Sequence, residues 1–297
     1  MNIYSFLYLS SIYLFFNLFN GIENIDYNYQ LIFSASLIFT VGIAHGSIDN
    51  YLLQKKYKFS NFKFYTLYLT PVILHILMWF VVPTISFCLF LIFSAYHFGE
   101  SHFSDYNIKS NFKFVLYFSW GCMLLSSLIL FNNDELISLS INYNNSLFLF
   151  IYSSNIIPLV CYISIAMTLM LIIYLLINRI ITIHDFISEV FHFGLIILTF
   201  FLFPILISFT LYFIFIHSFR SLNHEFVFLK SKKIIFSLKD FILILLPHTI
   251  IAQIFSLFFL MLISFNIITI SIPIALLMII SVITIPHVVV MSAFYSN

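Results

Sequence analysis

Long apolar runs separated by short polar joins dominate this chain. A helix crossing a bilayer needs roughly 20 apolar residues. Ten segments reach or approach that length, at about 2–19, 30–53, 64–82, 84–103, 112–131, 147–177, 187–202, 204–224, 241–264 and 267–294. The pattern predicts an all-α polytopic integral membrane protein of about ten transmembrane helices. At Pro83 and Pro204 two spans meet with almost no loop. Each is either a junction between spans or a kink in a broken or re-entrant helix, so the count runs from eight to ten. The first span lacks a basic start and a small-residue cleavage site, and reads as a span rather than a signal peptide. No internal repeat, flexible linker or separate soluble domain interrupts the pattern. Residues 1–297 read as a single transmembrane helical domain, with the basic segment at about 221–240 as a surface loop.

Composition strengthens this reading. The chain is 62% hydrophobic and 8% charged, with mean hydropathy +1.10; a soluble domain carries about 25% charged residues. A net charge of +1 argues against a nucleic-acid partner. Cys88, Cys122 and Cys161 stand singly in apolar runs and read as small packing residues. The abundance of Phe and Tyr follows the Ile-, Asn- and Lys-rich, Arg-poor usage of an AT-rich genome, so it is weak support for an aromatic ligand tunnel.

Charge then sets orientation. Lys55, Lys56, Lys58 and Lys63 follow the second span, Lys109 and Lys113 the fourth, and Arg179 the sixth. Arg220, Lys230, Lys232, Lys233 and Lys239 lie at or beyond the end of the eighth. The alternate loops hold Glu23, Asp26, Asp134 and Glu135 but no Lys or Arg. All twelve basic residues thus fall on one side. By the positive-inside rule that side is cytoplasmic, with both termini inside, in a multi-pass protein of the cell inner (plasma) membrane.

The histidines carry the candidate chemistry. His45 and Asp49 lie four residues apart in an apolar segment, on one face if that segment is helical. Ionisable groups inside a span are costly and point to function. Counted from the cytoplasmic boundary at 1.5 Å per residue, His45, His97, His192, His217, His248 and His287 fall in one layer on six different spans. His102 and His224 sit near that boundary, His184 lies in a loop, and His75 is deeper. A single such histidine is more often a packing residue. A layer of six suggests a histidine-rich iron or copper centre, since imidazole suits these metals. Asp49 and Glu100 would then orient ligating rings. Gly42, Gly46, Gly99 and Gly194 beside these histidines permit close approach of helices or ligand, or reflect ordinary membrane packing. Arg220 reads as snorkelling toward lipid headgroups, or as pairing with Glu225 or Asp49. Pro247 and Pro286 precede His248 and His287 and either re-aim those rings or kink the span.

The stretches VGIAHGSIDNYLL, SAYHFGESHF, IHSFRSLNHE and TIPHVVV, in this order, resemble the Brp/Blh family of membrane β-carotene 15,15′-dioxygenases across roughly 40–292. The resemblance implies central cleavage of β-carotene by O₂ to two retinal molecules, with Fe(2+) as cofactor. It places metal ligands at His45, His97, His217 and His287, with Asp49 as the acid of the first motif. One position departs from the family: Ser221 stands where a histidine is expected after the arginine of H-S-x-R. His224, His192, His102 and His248 are available as further ligands. β-Carotene, O₂ and the lipid bilayer are the implied partners, and a rhodopsin is a possible retinal acceptor.

Other classes leave different marks. A histidine-lined metal-ion or proton transporter would string acids and histidines through the whole depth, and only His75 lies deep. A membrane haem protein would need paired axial histidines. A fatty-acid desaturase would carry dense HxxxH and HxxHH clusters, which this chain lacks. A purely structural protein would leave the histidine layer unexplained. The charge pattern is tested with topology reporters: one fused after Lys56 should report cytoplasmic and one after Asp134 external. A cytoplasmic signal at Asp134 would overturn the orientation.

Overall fold

The computed structural model describes residues 3–18, 26–58, 60–106, 108, 112–142 and 146–296. Glu23 and Lys109, used in the charge pattern, lie outside them. Among the described residues all regular structure is helical. The chain forms α1 (Ile3–Leu18), α2 (Tyr27–Leu37), a π-helical turn at Ile38–Gly42, α3 (Asp49–Tyr57), α4 (Asn61–Val81), α5 (Pro83–His102), α6 (Lys113–Phe131) and α7 (Asn133–Asn142). It continues through α8 (Ser146–Ser153), α9 (Ile156–Ile177), α10 (Ile183–Leu202) and α11 (Ile205–Tyr212). A second π-helical turn at Phe213–Ser218 follows, then α12 (Phe219–Ser231), α13 (Leu238–Ser264) and α14 (Ile272–Tyr295).

Among the described residues, seven helices are long and apolar enough to cross a membrane: α4, α6, α9, α10, the continuous run Ile205–Ser231, α13 and α14. The other three segments of the expected ten are helical but fall short as single apolar spans. α1 has 16 residues. The segment at 30–53 is divided by the π-helical turn and a non-helical turn. α5 carries His97, Glu100 and His102 in its last turns, which lower its hydropathy. At both Pro83 and Pro204 one helix ends and another begins. Pro83 opens α5 directly after the end of α4, and Pro204 caps α11. At the second junction a Glu135 oxygen accepts the Ile205 N–H at 2.9 Å, placing a carboxylate at the positive end of α11. Burial pushes the Glu135 carboxyl upward, opposed by that bond and one from Gln30.

The helices pack into two compact units, one made of 1–38 and 95–220, the other of 39–94 and 221–297. In the first, Tyr8, Phe98, Phe103, Trp120, Phe200 and Tyr212 belong to one buried core. There α5 and α6 meet backbone to backbone. A Cβ on Gly99 would stand 1.9 Å from the Tyr117 carbonyl oxygen, and one on Gly121 1.7 Å from that of Ala95. The crossing therefore requires glycine at both positions, whereas Gly194 has open space around it. In the second unit α14 packs on α3, α4 and α13. Lys56 reaches the carbonyls of Ala293 and Phe294 at 3.0 and 2.9 Å, satisfying acceptors at the end of α14.

The segment at 221–240 is not the surface loop expected from its charge. It continues α12 to Ser231 and turns into the capping box Ser237–Asp240 that starts α13. Leu229 and Ile235 are fully buried beside Leu245 and Met291. Lysines flank these apolar positions, and the charge count alone hid the buried face.

Gly99→Ala and Gly121→Ala should each destabilise the protein by about 1–3 kcal/mol or more, the usual cost of overpacking, while Gly194→Ala should be tolerated. Thermal unfolding in detergent reads this, and equal melting temperatures for all three variants would refute the close crossing.

Candidate functional site

In the second unit the chain leaves the π-helical turn Ile38–Gly42 and passes through a non-helical turn at 45–48 before α3 begins at Asp49. Gln253 Nε2 donates to the Phe39 carbonyl in this turn at 2.5 Å. The break also removes the helical i, i+4 relation expected for His45 and Asp49. Asp49 instead accepts from His287 Nδ1, at 3.0 and 3.1 Å to its two oxygens. His45 Nδ1 donates to the Gly42 carbonyl within its own turn. The two imidazoles meet edge to face with centroids 4.9 Å apart, and His45, Asp49 and His287 are all buried. A Cβ on Gly46 would lie 3.2 Å from His287 Nδ1, so glycine lets the ring settle against the turn.

Both hydrogen bonds put the ring proton on Nδ1 and the lone pair on Nε2. That is the arrangement of a ligating histidine, whose other nitrogen donates to a carboxylate or main-chain carbonyl. Glu225 adds a second acid to this unit; it is fully buried and close enough to Asp49 for their charges to repel. His45, His287, Asp49 and Glu225 thus put imidazole donors and carboxyl groups in one low-dielectric interior, a setting that favours a cation or shared protons.

In the first unit His97 on α5 meets His217 in the π-helical turn Phe213–Ser218, with ring centroids 5.0 Å apart. Phe213 stacks on His217 at 5.4 Å and Phe98 meets its edge at 4.9 Å. Tyr96 donates to Glu100 at 3.0 Å. A second cluster in this unit joins His102, Glu189 and His192. His102 Nε2 donates to Glu189 at 2.5 Å, and the Tyr106 hydroxyl donates to the other Glu189 oxygen at 2.7 Å. Glu189 was invisible as a site residue in the sequence, although its place three residues before His192 on a helix is a signal in hindsight.

Several expectations change. Arg220 is buried rather than snorkelling, and its Nε and Nη2 both donate to Asp105, at 3.1 and 2.5 Å. The short α5–α6 connection brings this acid to it, a placement sequence separation does not reveal. His75, the deep member, is bonded to Ser281 and Trp79 at 3.2 and 3.1 Å, as a packing histidine would be. His248 contacts Asn50 at 3.5 Å and the Tyr51 ring, and His224 meets the Tyr295 ring. Ser221 is buried with its hydroxyl 3.3 Å from that of Tyr295. α12 runs unbroken past this point, which leaves His224 one turn further along.

Comparison with known families completes the picture. The family model for beta-carotene 15,15'-dioxygenase matches residues 36–295. The chain belongs to this family. No curated protein and no solved structure matches it significantly. His45, Asp49, His97, His217 and His287 all lie inside the matched span of the dioxygenase family, whereas α1 precedes it.

Asp49→Leu should leave His287 Nδ1 buried without its acceptor and cost about 1–3 kcal/mol. Thermal unfolding measures this, and an unchanged midpoint would mean that the bond carries no weight.

Proposed function

We propose that the chain splits the 15,15′ double bond of β-carotene with O₂, giving two molecules of retinal. The match to the dioxygenase family over most of the chain carries this reading. In that reaction one carbon–carbon double bond breaks, two carbonyl groups form, and one O₂ supplies both carbonyl oxygens.

The proposed cofactor is ferrous iron, and the proposed ligands are the motif histidines His45, His97, His217 and His287. The donor set fits the metal. Imidazole is a good iron ligand, and His45 and His287 have their Nδ1 atoms committed to Gly42 and Asp49. When bound, the iron supplies the O₂ activation that the cleavage needs. The roles of the chain are positional. The Gly42 carbonyl and Asp49 hold two rings in one tautomer. Phe98 and Phe213 enclose His217 in apolar surface that excludes water.

β-Carotene is apolar and dissolves in the bilayer, so a multi-pass helical protein meets it there without an aqueous step. The plasma membrane is the proposed site, and a retinal-accepting rhodopsin is a possible partner.

Expression in a β-carotene-producing bacterium tests the proposal. Loss of colour with retinal appearing is expected. The His45→Ala variant, expressed at the same level, should retain carotene. Intact carotene with the wild-type chain under iron sufficiency would overturn the function, and cleavage that persists after iron chelation would overturn the cofactor.

A further inference from the structure

We infer that His102, Glu189 and His192 form a second metal site, for a divalent first-row transition ion, distinct from the motif histidines. The three side chains are buried and belong to one unit. Each offers a ligand atom, and these atoms lie within 4.8 Å of one another. Glu189 and His192 are three residues apart on α10, the Glu-x-x-His spacing that aims both side chains to one side of a helix in carboxylate-bridged metal bundles. His102 comes from the end of α5. Two imidazoles and one carboxylate, with coordination positions left over, are a donor set for Fe(II) or Zn(II).

The surroundings point the same way. The Nδ1 atom of His192 is buried and has no hydrogen-bond partner, and such an atom calls for a bound water or ion. Ser5 shares a 2.6 Å hydrogen bond with His192 Nε2 and Tyr106 holds Glu189, so both groups are oriented from behind. Trp120 stacks on His102 at 3.9 Å and fixes the ring plane. The nearby guanidinium of Arg220 is taken by Asp105. The charge of Glu189 is therefore met within the cluster, by a proton shared with His102 or by a metal ion that displaces it. A small cavity lined by Glu189, Trp120, Thr168 and Phe193 adjoins the cluster. It has room for about one water and none for a carotenoid. Ser5 precedes the segment matched by the family, so one support of this site comes from outside the shared region.

The inference is tested by metal counting on the full-length protein, stripped in detergent and reloaded with Fe(II), Zn(II) or Co(II) singly. Wild type should bind about two ions per chain. Glu189→Gln combined with His192→Asn should lose one, and His45→Asn combined with His287→Asn should lose the other. Undiminished metal in the Glu189/His192 variant overturns the inference, as does complete loss in the His45/His287 variant. A single ion that only the Glu189/His192 change removes supports this site and refutes the motif-histidine centre. If the double variant does not fold, Ser5→Ala and Tyr106→Phe serve instead. Each should weaken Co(II) affinity about 10–100-fold, as loss of an orienting group does, and unchanged affinity in both overturns the site. Retinal formation plays no part in these readouts, so the cleavage proposal stands or falls separately.

Discussion

Burying an ionisable side chain away from water is expensive unless another group of the protein takes over its hydration. This constraint shapes the polar interior. Asp49 is held by His287, and Glu189 by His102 and Tyr106. The two arrangements share one feature: a buried carboxylate set against an imidazole. In each, the hydrogen bond to the carboxylate sets the proton on the ring nitrogen that faces it.

Backbone irregularity serves the same end. The two π-helical turns lie just before His45 and around His217, in different units. Such turns recur at functional sites because they shift a side chain out of the helical register. Here the shift lets His45 donate to a main-chain carbonyl and lets His217 face His97. Within the first turn the Phe39 carbonyl accepts from Gln253.

Family membership gives these local facts a direction. An apolar substrate makes bilayer access natural, and a histidine-rich interior suits iron and O₂. The cluster of His102, Glu189 and His192 is built from the same groups but with the carboxylate among the candidate ligands rather than behind them. The two polar centres therefore differ in donor chemistry, and this separates their proposed roles.

The helical membrane class was legible from the sequence, because hydrophobicity along the chain sets it and 3.6-residue geometry needs only local contacts. The family was legible too, since its motifs are short, contiguous and rich in histidine and glycine. Seven of the ten apolar segments became single long apolar helices. The other three depended on where helices break, which neighbours decide. Partnerships were not legible. Local spacing put Asp49 with His45, and the tertiary structure gave it to His287, 238 residues away in sequence. Arg220 went to Asp105 and Glu189 to His102 for the same reason. Side-chain spacing within one helix is a local property, whereas the partner of a buried charge is fixed by which helices pack together. Only the folded chain decides that.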